Sequence, residues 1–123
     1  MIKTLQFEKF PKIFVSEIIF FSSETVVGCF VKMEFHPEHI AEFIALFDGV
    51  KEKIRAVEGC AFLELLQGTE ASNIFFTHSY WEDAQALEAY RHSALFKTTW
   101  AKTKPLFNAK PEAWSVEKFV SLP

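Results

Sequence analysis

The hydrophobic pattern of this chain changes period four times, and those changes limit the folds open to it. From Val26 to Phe35 the apolar residues alternate: Val27, Cys29, Val31, Met33 and Phe35, with Gly28, Phe30, Lys32 and Glu34 between them. Successive side chains of a strand point to opposite faces, so one face is wholly apolar and the other mixed, as in a half-buried strand. After His36-Pro37 the spacing becomes three and four: Ile40, Phe43, Ile44, Phe47, Val50, Ile54 and Val57. That is one apolar stripe on a long amphipathic helix. Pro37 suits its first turn and Gly59 its C-terminal cap, while Gly49 weakens its middle.

The period of two then returns. Cys60 to Gln67 reads as a second strand, Gly68 to Ser72 as a hairpin-type loop and Asn73 to Trp81 as a third strand. On the third strand Ile74, Phe76, His78 and Tyr80 share one side; Phe75, Thr77, Ser79 and Trp81 share the other. Asp83 can cap a second helix, its carboxylate accepting from free backbone N–H groups. Ala84, Leu87, Tyr90 and Ala94 make the expected buried stripe. Ser93 restarts a helix carrying Phe96, Trp100 and Phe107, and Trp114 to Val120 reads as the last strand. Strand, helix, strand, strand, helix, strand is the split βαβ order of a ferredoxin-like α+β domain with an antiparallel sheet. The domain spans residues 26–123. Residues 1–25 form an N-terminal extension with strand-like composition at Ile13, Phe14 and Val15 and again from Ile18 to Phe21.

Helices cover one face of such a sheet, and the second face needs its own cover. Here it carries Phe30, Phe75 or Phe76, and Phe119, so two copies are expected to pack sheet to sheet as a homodimer. The 15 phenylalanines among 123 residues are many for one small core, which fits an aromatic-lined pocket or an interface. A net charge of −3 without a basic run argues against nucleic-acid binding. Glu17 interrupts the apolar run from Ile13 to Phe21, which is too short to cross a bilayer, so no membrane segment is expected. Cys29 and Cys60 are the only cysteines and lack CxxC spacing, which points to buried thiols in a reducing cytoplasm.

The chemistry-bearing residues gather around Tyr80-Trp81-Glu82-Asp83. No Gly-x-Ser-x-Gly elbow and no glycine-rich phosphate loop occurs. His36 and His39 share a three-residue spacing near Glu34, Glu38 and Glu42, but His36 precedes the helix and His39 reads as a solvated residue, so no metal site is assigned. A cavity between helices and sheet can be lined by Phe35, Phe43, Phe47, Trp81, Tyr90, Phe96 and Trp100. It would favour a flat aromatic ligand. Tyr80, Tyr90, His78 and His92 are the polar groups available to hold and deprotonate a phenol. His92 follows Tyr90 by two positions, a turn of roughly 200° on a helix, and faces another way.

The stretch Trp81-Glu82-Asp83-Ala84-Gln85-Ala86-Leu87-Glu88-Ala89-Tyr90 with Ser93 and Phe96, the His-Pro-Glu entry to the first helix, and Val57-Glu58-Gly59-Cys60 together resemble the antibiotic biosynthesis monooxygenase family over about residues 26–120. The resemblance implies a dimeric α/β barrel and a monooxygenase that uses dioxygen on a quinol-like or polycyclic phenolic substrate, with no metal, flavin or other cofactor. Tyr90, His92 and His78 are then the candidate catalytic residues. Trp81, Trp100, Phe35, Phe43, Phe47, Tyr80 and Phe96 are the candidate substrate-binding residues. Family members often carry a histidine where Tyr90 stands, with a serine three residues on, as Ser93 is here, and a second histidine near Leu95. This chain lacks both histidines, which leaves Tyr90 as a hydrogen-bond donor and opens a non-catalytic reading, a dimeric module that binds small molecules or serves in stress. A haem-binding or haem-degrading monooxygenase is the minor alternative that the resemblance implies: such relatives use an asparagine on the first strand, which Val26 to Phe35 lacks, and a haem-ligating histidine on the second helix, a position at which His92 does not clearly fall.

Overall fold

The computed structural model describes residues 26–123; the expected N-terminal extension lies outside them. The chain order is β1 (Val27–Glu34), α1 (Ile40–Arg55), β2 (Cys60–Gln67), β3 (Ile74–Trp81), α2 (Ala84–Arg91), α3 (Ala94–Thr103) and β4 (Glu112–Val116). Short 3-10 turns at Pro37–His39 and Lys104–Leu106 lead into α1 and out of α3. The strands form one antiparallel sheet in the order β2-β3-β1-β4, and the helices cover one face. This is the ferredoxin-like α+β arrangement expected from the order of periods. Among the described residues no helix is long and apolar enough to cross a membrane.

The alternation in β1 and β3 sets the two faces. Cα pairing of Val27 with Trp81, Cys29 with Ser79 and Met33 with Phe75 gathers these side chains under the helices. Pairing of Phe30 with His78 and Trp114, and of Tyr80 with Phe62, gathers a second set on the uncovered face. Two clusters fill the helix side. One joins Val27, Cys29, Cys60, Trp81 and Leu87; the other joins Met33, Phe35, Phe43, Phe75 and Leu106. Phe35 has no exposed surface and stacks on Phe43 with ring centroids 4.2 Å apart.

The joints follow local chemistry. Asp83 accepts a hydrogen bond from the Ala86 N–H at 2.8 Å and Ser93 from the Phe96 N–H at 3.1 Å, so each caps its helix. Gly59 adopts φ 90°, and a Cβ there would lie 2.5 Å from that of Ala86, so both conformation and packing require glycine at the turn into β2. Gly49 does not interrupt α1.

Four local expectations differ from the structure. Ala84 and Ala94 are exposed, and the buried edge of α2 is instead Leu87 with Tyr90 half-buried beside it. The second helix after Ser93 stops at Thr103, because Pro105 offers no N–H to continue it, although the Phe107 ring still meets Trp100 at 5.5 Å. The last strand is Glu112–Val116 rather than Trp114 to Val120; Val116 pairs with Gly28, and β1 begins only one residue before Gly28, at Val27. Phe119, expected on the sheet, is 87% exposed in the tail beyond it. Of Phe75 and Phe76, it is Phe76 that faces outward, beside Phe30.

Candidate active site

Between the helix layer and the sheet lies a cavity of about 290 Å³, at the lower end of the size typical of small-molecule sites. Its floor is β1 and β3, contributing Cys29, Val31, Met33, Thr77, Ser79 and Trp81. Phe43, Phe47 and Ile54 of α1 form one wall. Leu87, Tyr90 and Arg91 of α2 and Phe96, Thr99, Trp100 and Thr103 of α3 close the rest. The helical residues recur at three and four positions, so each helix presents one continuous edge to the space.

The aromatic wall is a chain of ring contacts. Trp81 stacks on Tyr90 at 4.9 Å with planes 21° apart, Tyr90 meets Phe96 edge-on at 5.3 Å, and Phe96 stacks on Trp100 at 5.8 Å. Trp81 is 1% exposed, and its indole N–H donates to the Ser79 hydroxyl at 2.9 Å, which fixes the ring at the strand end. Thr103 donates to the Thr99 carbonyl at 2.7 Å. These bonds satisfy the buried hydroxyls within the wall and leave its surface largely apolar.

Two polar groups of α2 stand apart. Burial pushes the Tyr90 phenol up to about 12, with Cys60 and Cys29 acting in the same direction. At neutral pH Tyr90 is therefore a neutral O–H donor. Arg91 is the one charged side chain lining the cavity among the described residues. Its Nη2 lies 3.9 Å from Cys29 Sγ and its Nη1 3.6 Å from Glu88 Oε1. Burial raises the Cys29 thiol, and the Arg91 guanidinium partly offsets this. Cys60 is buried as well, as expected for both thiols, and burial raises it too.

Of the residues singled out in the sequence, the structure brings Phe43, Phe47, Trp81, Tyr90, Phe96 and Trp100 together around this cavity. Phe35 lies outside the lining, packed between Phe43, Phe75 and Phe107. His78 and Tyr80 are separated from it by the sheet itself, because the pleat sends them to the face opposite Trp81. There His78 Nδ1 sits 3.1 Å from Glu64 Oε2, and its ring meets Phe30 at 4.5 Å and Tyr80 at 4.9 Å. Lys118 lies over the Tyr80 ring at 4.7 Å. His92 ends α2 with its side chain 68% exposed and Nδ1 3.0 Å from the Glu88 carbonyl. The rings of His36 and His39 are 5.6 Å apart, and no group of three metal-ligating side chains forms among the described residues. Arg91, Ser79, Thr99 and Thr103 were not singled out. Arg91 follows Leu87 by four residues, and Thr99 and Thr103 follow Phe96 by three and seven, so the same periodicity held that signal.

Solved structures share this fold. A conserved protein from Methanosarcina mazei Go1 superposes with TM-score 0.76 at 23% identity, covering 81% of this chain and 99% of its own. A candidate antibiotic biosynthesis monooxygenase from Caulobacter crescentus CB15 gives TM-score 0.73 at 18% identity, covering 78% and 92%. Another, from Nitrosomonas europaea, gives TM-score 0.73 at 10% identity, covering 77% and 91%. No curated protein matches the chain. The sequence profile of antibiotic biosynthesis monooxygenases matches residues 27–102, well over half of the 123 residues, so this chain belongs to the antibiotic biosynthesis monooxygenase family.

Proposed function

We propose that this chain is a cofactor-independent monooxygenase that oxidises a quinol-like or polycyclic phenolic substrate with dioxygen. The observation that carries the reading is the aromatic-walled cavity with the neutral Tyr90 phenol in it; family membership supports the reaction class. A flat substrate lies among Trp81, Phe96 and Trp100, where ring contacts replace water. The Tyr90 O–H donates to the substrate oxygen and favours its phenolate. The phenolate passes one electron to dioxygen. The resulting carbon radical and superoxide recombine to a C–O–O bond, and loss of water leaves a carbonyl at the former CH₂ carbon. One oxygen atom enters the product, the other leaves as water, and the substrate supplies every electron. Trp81 and Trp100 orient, Tyr90 polarises, and His78 and His92, both outside the cavity, have no assigned step.

The same reading includes a homodimer in which a second copy covers the uncovered sheet face. Phe30, Phe62, Phe76, Tyr80 and Trp114 share that face, and such a row of aromatics matches the composition of interface cores.

A second reading has a specific observation in its favour. Among the described residues no histidine or carboxylate lines the cavity, so no side chain there takes a proton readily at neutral pH. A non-catalytic module that holds a small aromatic needs no such base. Dissolved-oxygen consumption separates the two. Chelator-dialysed protein with a panel of anthrones and hydroquinones should consume oxygen well above autoxidation, and a Trp81→Ala/Tyr90→Phe double variant should lose that excess. Consumption equal to buffer across the panel would overturn the oxygenase and leave the binding module.

A further inference from the structure

We infer that the cavity selects aromatic ligands bearing an acidic substituent, and that Arg91 is the residue that reads it. This rests on the cavity as the ligand site and deepens that reading by naming the substrate class. Arg91 is the single charged residue of the lining among the described residues, and no acid faces it from across the space. The rest of the wall is rings and aliphatics with a few hydroxyls, of which those of Ser79 and Thr103 are hydrogen-bonded within the wall. A guanidinium carries five N–H donors in a fixed fork suited to a carboxylate. Here its contacts are weak ones, a thiol at 3.9 Å and the exposed Glu88 carboxylate at 3.6 Å, beyond hydrogen-bond length. An incoming carboxylate would replace these two long contacts of Nη1 and Nη2 with shorter, charge-assisted hydrogen bonds.

Position adds a constraint. Tyr90 and Arg91 are neighbours on α2, with Tyr90 stacked on Trp81 of β3 and Arg91 reaching over Cys29 of β1. A ligand whose ring oxygen meets Tyr90 therefore has its second polar group on the β1 side, a ring or so away. The ligand is a flat phenolic acid with carboxylate and phenol on the same edge of the ring system. Arg91 also stands in the last turn of α2, where a cation is favourable for the helix alone. A purely structural role would stabilise the fold without sensing the charge of a ligand, and the test turns on that distinction.

Calorimetric titration with anthracene-2-carboxylate and with anthracene-2-carboxamide compares ligands of the same shape and different charge, without turnover. Wild-type protein should bind the acid roughly tenfold or more tighter than the amide, and added salt should erode that ratio. Arg91→Gln should bring the ratio close to one, and Arg91→Lys should keep its sign. An equal affinity for acid and amide in wild-type protein, or a ratio unmoved in Arg91→Gln, would overturn the assignment. Should Arg91→Gln fold poorly, the wild-type ratio and its salt dependence decide alone. Oxygen consumption by neutral anthrones is read separately, so failure of the oxygenase reading leaves a different signature from failure of acid selection.

Discussion

The two faces of the sheet are built from nearly the same residue types and do different things. Under the helices, Phe35, Phe75 and Trp81 are almost wholly buried, and the neighbouring rings of α2 and α3 enclose a cavity. On the other face, Phe30, Phe62, Phe76, His78 and Tyr80 contact one another sideways and stay half-buried, with the His78–Glu64 pair among them. The difference arises from connection, not composition. Short links after β1 and β3 send α1, α2 and α3 to one side, so aromatics of one parity meet helices and those of the other parity stay on the uncovered face. An aromatic residue of a strand lies under the helices or on the uncovered face according to whether its position is odd or even.

The largest contrast should appear in stability. Phe35→Ala leaves a hole among Phe43, Phe75 and Phe107 and should cost about 3–5 kcal/mol in chemical denaturation. Phe30→Ala, on the uncovered face, should cost clearly less in dilute protein. Equal losses would mean that the two faces are equally enclosed. Assembly should respond the other way round. Trp114→Glu places a charge beside Phe30 and should weaken self-association by roughly a hundredfold or more in sedimentation experiments, while anthrone-dependent oxygen consumption stays measurable in the dissociated protein. An unchanged association constant would remove the uncovered face as the interface.

Tyr90→Phe keeps the ring stacked on Trp81 and removes only the donor. Oxygen consumption should fall by about ten- to a hundredfold, with stability at neutral pH changed little. Alkaline denaturation then reports the phenol directly. Folded Tyr90 holds its proton up to about 12, against an ordinary value of 10. Its contribution is therefore complete below pH 10 and is lost as pH rises through 12. Tyr90→Phe should flatten that part of the pH profile and leave the part due to the raised thiols of Cys29 and Cys60. An identical profile in both proteins would contradict the buried phenol. The smallest effect lies at the joint between the faces. Asp83→Ala removes the cap that turns β3 into α2 and should cost about 1 kcal/mol.

Much of this was legible in the sequence. The switch between periods gave the order of elements, and Asp83, Gly59 and Ser93 marked their joints, because caps and turns depend on a few neighbouring residues. Strand alternation also placed His78 and Tyr80 on the face opposite Trp81, yet all three were grouped into one cavity on their nearness in the chain. In a strand, nearness along the chain is what separates side chains, since Tyr80 and Trp81 point to opposite sides. Helices behave differently. Leu87, Tyr90 and Arg91 share an edge at spacings of three and four, so Arg91 was within reach of the periodicity that found Tyr90. Strand and helix ends were less visible. The last strand is as long as its partner allows, and the β1 residue beyond Gly28 is its first, which no local pattern around Trp114 reveals. The outward aromatics are half-exposed because no described helix returns to their face, and no local pattern in the strands tells which face the helices take.

The three tryptophans divide between the two faces, Trp81 and Trp100 in the cavity and Trp114 outside it, so one spectrum can test the whole account. Indole N–H resonances should be followed by NMR while a redox-stable planar phenol such as 1,8-dihydroxyanthraquinone is added. The account predicts that the Trp81 and Trp100 signals shift and saturate together while the Trp114 signal stays in place. Saturable movement of Trp114 with Trp81 and Trp100 unmoved would put the ligand on the uncovered face and contradict the assignment of the cavity.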